Sequence, residues 1–291
     1  MAQKIVISCD STADLSLDLL KSRDIKSVPL SIVRGDETLL DGVDIHQQDI
    51  FEYKKKTGTL LKTCAPNIAE CETVIKGYKE EYGEDAAVIH FDISSDMSST
   101  YSNFVTVSQD YDDVYIVDSR NLSTGIGLLV LRAAGLRDKG LSAKEIYDDI
   151  IAATKRVDSS FVIDTLEFLH KGGRCSGVAA LGANLLKLKP RIEVRNGLMG
   201  VAKKYRGNVF DVFPNYVKDM LHDPDDIELD RVFITHTCDE DREDDVKKIV
   251  ELVKELVPFV EVLETRAGCS VSVHCGPNTL GVLFIRKSEV K

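Results

Sequence analysis

Hydroxyls, imidazoles and a few cations set among glycines are the side chains of this sequence that could do chemistry together. Ser94, Ser95, Ser98, Ser99 and Thr100 crowd a short segment that follows a β-branched run ending at Phe91. Hydroxyls and free amides at a helix N-terminus make a seat for an anion, aided by the helix dipole. The crowding exceeds what one helix cap needs. His274 stands in His274-Cys275-Gly276-Pro277-Asn278-Thr279, where Gly and Pro predict a tight loop that aims the imidazole. A lone His is more often structural. Thr63 precedes Cys64-Ala65-Pro66-Asn67, and Pro66 suits the first turn of a helix, so an exposed hydroxyl beside a helix start is the default. Asp10-Ser11-Thr12-Ala13-Asp14 follows the first β run. Such residues cap free amides or line a ligand crevice at the strand ends of an open α/β sheet, and capping carries more weight. Lys171-Gly172-Gly173-Arg174 offers Gly172 as a left-handed C-terminal cap and two cations for an anionic partner, with His170 as a last-turn residue.

These groups need a scaffold. Runs at 4–9, 27–33, 86–91 and 114–118 read as strands, with amphipathic stretches at 68–82, 97–110, 123–139 and 143–155. Strand–helix–strand order predicts a parallel sheet with helices on both faces, a three-layer α/β arrangement. Gly125-x-Gly127 lacks the third glycine of a dinucleotide fingerprint and predicts close helix packing. Further on come a strand at 161–165, a hairpin at 191–205 around Asn196-Gly197, a helix at 209–221, a strand at 231–236, a helix at 241–256, and strands at 260–264 and 280–286. That pattern predicts a second, mixed-sheet α/β domain, giving domains 1–157 and 158–291.

Composition narrows the function. The 291 residues are 43% apolar and 29% charged, the mix of a soluble globular chain. Lys and Arg number 37 against 48 Asp and Glu, a net charge of −11. That field repels nucleic acid and disfavours lasting adhesion to anionic lipid, leaving transient membrane contact. With no signal-peptide pattern and no long apolar run, a cytoplasmic location is expected. Seven cysteines without C-x-x-C spacing predict reduced, mostly buried thiols and no metal site.

Taken in order, Asp10–Leu15, Thr63–Pro66, Met97-Ser98-Ser99-Thr100-Tyr101, Asp118-Ser119-Arg120, Lys171–Arg174 and His274–Pro277 resemble the DegV family. Its members include the fatty-acid-binding subunits of bacterial fatty acid kinase. The resemblance implies a long-chain fatty acid such as palmitate, stearate or oleate held between two α/β domains, with no cofactor. It implies carboxylate contacts from Thr63, Ser98 and His274, with Arg206 as the basic residue after the hairpin. It also implies presentation of that carboxylate to a separate fatty acid kinase, for which Arg174 is the candidate contact. The sequence departs from the family pattern at Cys64-Ala65, Ser99 and Asn278.

The implied chemistry is self-consistent. A carboxylate leaving water needs several donors and a cation, while roughly fifteen buried methylenes at about 0.8 kcal/mol each contribute on the order of 12 kcal/mol. On this reading the chain is a carrier and not an enzyme. The alternatives are a hydrolase using Ser98, His274 and an acid such as Asp10, and a sensor of a non-lipid small molecule on the same fold.

Overall fold

The computed structural model describes residues 3–175 and 188–290. Its first sheet is all parallel, in the order β2 (Ile25–Val28), β1 (Ile5–Asp10), β6 (Ala87–Asp92), β7 (Val114–Asp118). Every residue of β1 and β6 is buried, as expected for central strands covered on both faces. Side chains alternate between those faces. Ile5, Ile7 and Cys9 meet α5 (Thr124–Asp138) and α6 (Ala143–Thr154), while Val6 and Val88 meet α3 (Ile68–Tyr82) and α4 (Thr100–Ser108). Helix α1 (Leu17–Ser22) links β1 to β2.

The second sheet has the order β10 (Leu198–Arg206), β9 (Leu188–Arg195), β8 (Val157–Val162), β13 (Leu280–Arg286), β11 (Ile227–His236), β12 (Glu261–Arg266). Only β11 and β12 pair in parallel. Helices α8 (Val209–Met220) and α9 (Glu243–Leu256) cover one face. The other face rests on α5, whose cluster also takes in Phe233, Leu283 and Ile285. Helix α5 is thus shared between the two sheets, which explains why its first two turns, 124–131, are buried on every side. Its glycines permit the approach. A Cβ on Gly127 would lie 2.8 Å from Leu15, and one on Gly125 would lie 2.5 Å from Ser159 Oγ.

The structure revises several boundaries. The run at 27–33 is two strands in different sheets, because Pro29 has no N–H to continue a ladder. After it, β3 (Ser31–Arg34) joins β4 (Glu37–Leu40) and β5 (Lys62–Cys64) in a small antiparallel sheet. That sheet and α2 (Gln47–Thr57) pack through Ile32, Ile50 and Leu61 against Cys269 and Val273 of α10 (Cys269–Cys275). The strand expected at 161–165 lies at Val157–Val162, and the residues after it lead into α7 (Glu167–Gly172). No helix among the described residues is long and apolar enough to cross a membrane.

Candidate ligand-binding site

A cavity of about 280 Å³ opens between the two halves, near the lower end of ligand-pocket volumes. Its wall includes Leu30, Ile93, Met97 and Leu122 from the first half and Phe161 and Met199 from the second. Thr63, Ser98, Arg174 and His274 all line it.

His274 sits in the last turn of α10, where the sequence had suggested a loop. Its Nε2 lies 3.1 Å from Thr63 Oγ1. Thr63 belongs to β5, paired with Ile32, so the small sheet and α10 together set that contact. Burial first, and the nearby Arg174 guanidinium second, push the imidazole down to about 4. It is neutral at pH 7 and has one N–H to place. Its Nδ1 is buried without a partner among the described residues, and the ring lies against Gly172, where a Cβ would come within 2.3 Å of Nδ1. Gly172 is therefore a seat for the imidazole. The left-handed helix cap expected at Gly172 falls to Gly173 instead, with φ +68°.

Acidic side chains from the first half hold α10 in place. Asp14 accepts from the Gly268 amide (2.7 Å), and Asp41 accepts from those of Cys269 (2.8 Å) and Ser270 (2.9 Å). Ser11 donates to Asp41 at 3.0 Å. Asp10 accepts the Thr12 and Ile93 amides, each at 2.9 Å, tying β1 to the cavity wall. Burial raises Asp10 to about 7 and Asp14 to about 8. The Asp10–Asp14 segment therefore braces the site, and only Thr12 of it reaches the cavity. Asp41 carried no sequence signal that marked it.

Ser98 precedes α4. Its Oγ accepts the Thr100 amide at 3.3 Å and lies 2.8 Å from Thr100 Oγ1, so its hydroxyl stands at a helix N-terminus. No hydrogen bond joins Ser98 to His274 among the described residues, and Asp10 faces Thr12 and Ile93.

The two candidate arginines fare differently. Arg206 is exposed, opposite Leu188 at the far end of β10, and is not on the cavity wall. The hairpin reaches the cavity at its turn end, through Met199. Arg206 is seven positions further on, or roughly 23 Å along a strand. Arg174 is the arginine on the wall, solvent-exposed, with Nη1 donating to Gly172 O at 2.7 Å. Lys171 is engaged with Glu167 at 2.8 Å, and His170 is exposed on α7.

Asp118-Ser119-Arg120 serves the frame. Arg120 donates to Asn196 O and pairs with Asp96 at 2.6 Å, while Ser94 donates to Gly197 O at 2.8 Å. Both hairpin residues have positive φ, +51° and +82°, as a two-residue turn of this hand requires. Gly197 is also needed for contact, since a Cβ there would meet the Arg120 guanidinium at 2.5 Å. The sequence announced the turn but not what it docks on.

Known proteins resemble this chain in sequence and in fold. A sequence profile described as an uncharacterised protein of the DegV family matches residues 4–287. A DegV domain-containing protein of Clostridium perfringens is 32% identical over 289 residues, spanning 98% of this chain and 99% of its own. A solved structure described as fatty acid binding of a DegV family protein from Thermus thermophilus superposes with a TM-score of 0.88 at 26% identity. It covers 98% of this chain and 100% of that one. DegV of Bacillus subtilis, described as a fatty acid binding protein, gives 0.82 at 26% identity, covering 98% and 100%. With the profile matched almost end to end and a relative 32% identical over nearly its whole length, the chain belongs to the DegV family.

Proposed function

We propose that this protein is a carrier that binds a long-chain fatty acid in the cavity and presents its carboxylate to a separate kinase. The observation that carries the reading is the Thr63–His274 pair on the wall of an otherwise largely apolar cavity, with Arg174 on the same wall. The descriptions of the Thermus thermophilus and Bacillus subtilis relatives as fatty acid binding support it.

In this reading the neutral imidazole donates from Nε2 to Thr63 Oγ1, leaving the threonine O–H free to donate to the carboxylate. Ser98 adds a second hydroxyl at the start of α4, and Arg174 supplies the positive charge. The acyl chain lies among Leu30, Met97, Phe161 and their neighbours, where each buried methylene contributes about 0.8 kcal/mol. The exposure of Arg174 keeps one side of the carboxylate open to a partner. There a carboxylate oxygen attacks the γ-phosphorus of ATP, ADP departs, and the acyl phosphate remains on the carrier.

A hydrolase would need Ser98 hydrogen-bonded to His274 and an acid on Nδ1. In their place stand Thr100 and Gly172, which favours the carrier. The test is incubation of the loaded carrier with ATP and a kinase preparation, followed by hydroxylamine trapping. Trapped acyl hydroxamate that requires both proteins supports the reading, and ester hydrolysis by the carrier alone contradicts it.

A further inference from the structure

Most hydroxyls on the cavity wall are already engaged. Thr12 donates to Asp10, Ser123 to Asp14 at 2.5 Å, Thr237 to Gly276 O at 2.7 Å and Thr279 to Cys275 O at 3.0 Å. Thr235 shares a hydrogen bond with Thr124 at 2.6 Å. Such hydroxyls offer a ligand little, because their protons are committed within the protein. Ser99 is open to solvent.

Ser270 is different. It lines the cavity, is only 4% exposed, and its Oγ is buried with no hydrogen-bond partner among the described residues. Serines at helix starts usually spend their hydroxyl on a free amide. Here Asp14 and Asp41 perform that task for α10, and Asp41 fixes the Ser270 backbone. The hydroxyl is thus relieved of any local role, free to turn about χ1 toward the cavity on a backbone that is held in position. An alanine would fill the same space without leaving a buried donor unsatisfied, which is the costly condition for a polar group. Ser270 also stands one turn before His274, on the same helix face and about 6 Å along the axis.

We propose that Ser270 is a second polar subsite, which hydrogen-bonds an oxygen carried on the acyl chain a few bonds from the carboxylate. This rests on the reading that the carboxylate sits at Thr63 and His274. The preferred ligands are then long-chain acids with a hydroxy or oxo substituent near the carboxylate end. Such a group would be out of place elsewhere in the chain, where Phe161, Met97 and Leu30 offer no hydrogen bond.

The test is calorimetric titration of palmitate, 3-hydroxypalmitate and 16-hydroxypalmitate into delipidated wild-type protein, Ser270→Ala and Ser270→Cys. Wild type should favour 3-hydroxypalmitate over 16-hydroxypalmitate. Loss of one buried hydrogen bond should cut that preference by roughly three- to tenfold in Ser270→Ala. Ser270→Cys, of similar size and a weak donor, should resemble Ser270→Ala, and palmitate should bind all three proteins alike. A preference unchanged in both variants overturns the subsite while palmitate binding upholds the carrier reading. Failure of all three acids to bind wild type overturns both.

Discussion

Replacing Gly172 by Ala tests whether binding depends on the seat of the His274 imidazole. The new Cβ would stand 2.3 Å from His274 Nδ1, whereas carbon–heavy-atom contacts settle near 3.5 Å. The ring must therefore retreat by about 1 Å. Its Nε2 is 3.1 Å from Thr63 Oγ1, and a hydrogen bond displaced that far is bent or stretched out of range. The carboxylate then loses an organised donor, worth about 1–3 kcal/mol, or a fall in affinity of roughly five- to 150-fold. Stability should fall by at most about 2 kcal/mol, since crowding the buried ring costs about 1–3 kcal/mol, offset by about 1 kcal/mol because Ala is favoured over Gly in a helix and restricts the unfolded chain. Palmitate titration and thermal melts on the same delipidated preparation measure both. Wild-type affinity in Gly172→Ala would refute the claim that Gly172 seats the imidazole and that the imidazole serves the ligand.

Ser98→Ala and His274→Ala should each weaken palmitate binding by about 1–3 kcal/mol while the protein stays folded, as binding isotherms and circular dichroism will show. Arg206→Ala should leave affinity unchanged. Arg174→Ala should weaken it by less than about tenfold, because the guanidinium is solvent-screened, and should slow acyl-phosphate formation in a kinase assay. Asp14 is raised to about 8 by burial, so the folded state holds a proton that the unfolded state loses near pH 4. Stability from this group is full below that unfolded value and is lost as pH rises through about 8. Melting temperature should therefore carry a falling contribution between about pH 4 and 8 that levels off above it, and that contribution should vanish in Asp14→Asn.

The parallel sheet was legible because β1 and β6 each open on a short apolar stretch with β-branched residues and are buried on both faces. The hairpin was legible because Asn-Gly has one dominant use. The small sheet was not. Its strands are three or four residues long, and β4 and β5 are mostly exposed, so no alternation could build up. Helix α10 was hidden for a different reason. Cys269-Ser-Val-Ser-Val-His-Cys contains no strong helix former, and the helix exists because Asp14 and Asp41 bind its first amides. That brace comes from more than two hundred residues away, beyond the reach of any local pattern. Thr63, Ser98 and His274 were named through the family resemblance, and all three line the cavity. Arg206, named with them, lies off the cavity wall, because a strand's length, invisible in a motif, carries it away.

Mass spectrometry of the organic extract of freshly purified protein, read against protein concentration, tests the carrier account most directly. The account predicts long-chain fatty acid at close to one molecule per chain, lost on delipidation and restored by added palmitate or its oxygenated analogues. Protein that emerges lipid-free and takes up neither palmitate, oleate nor 3-hydroxypalmitate contradicts it.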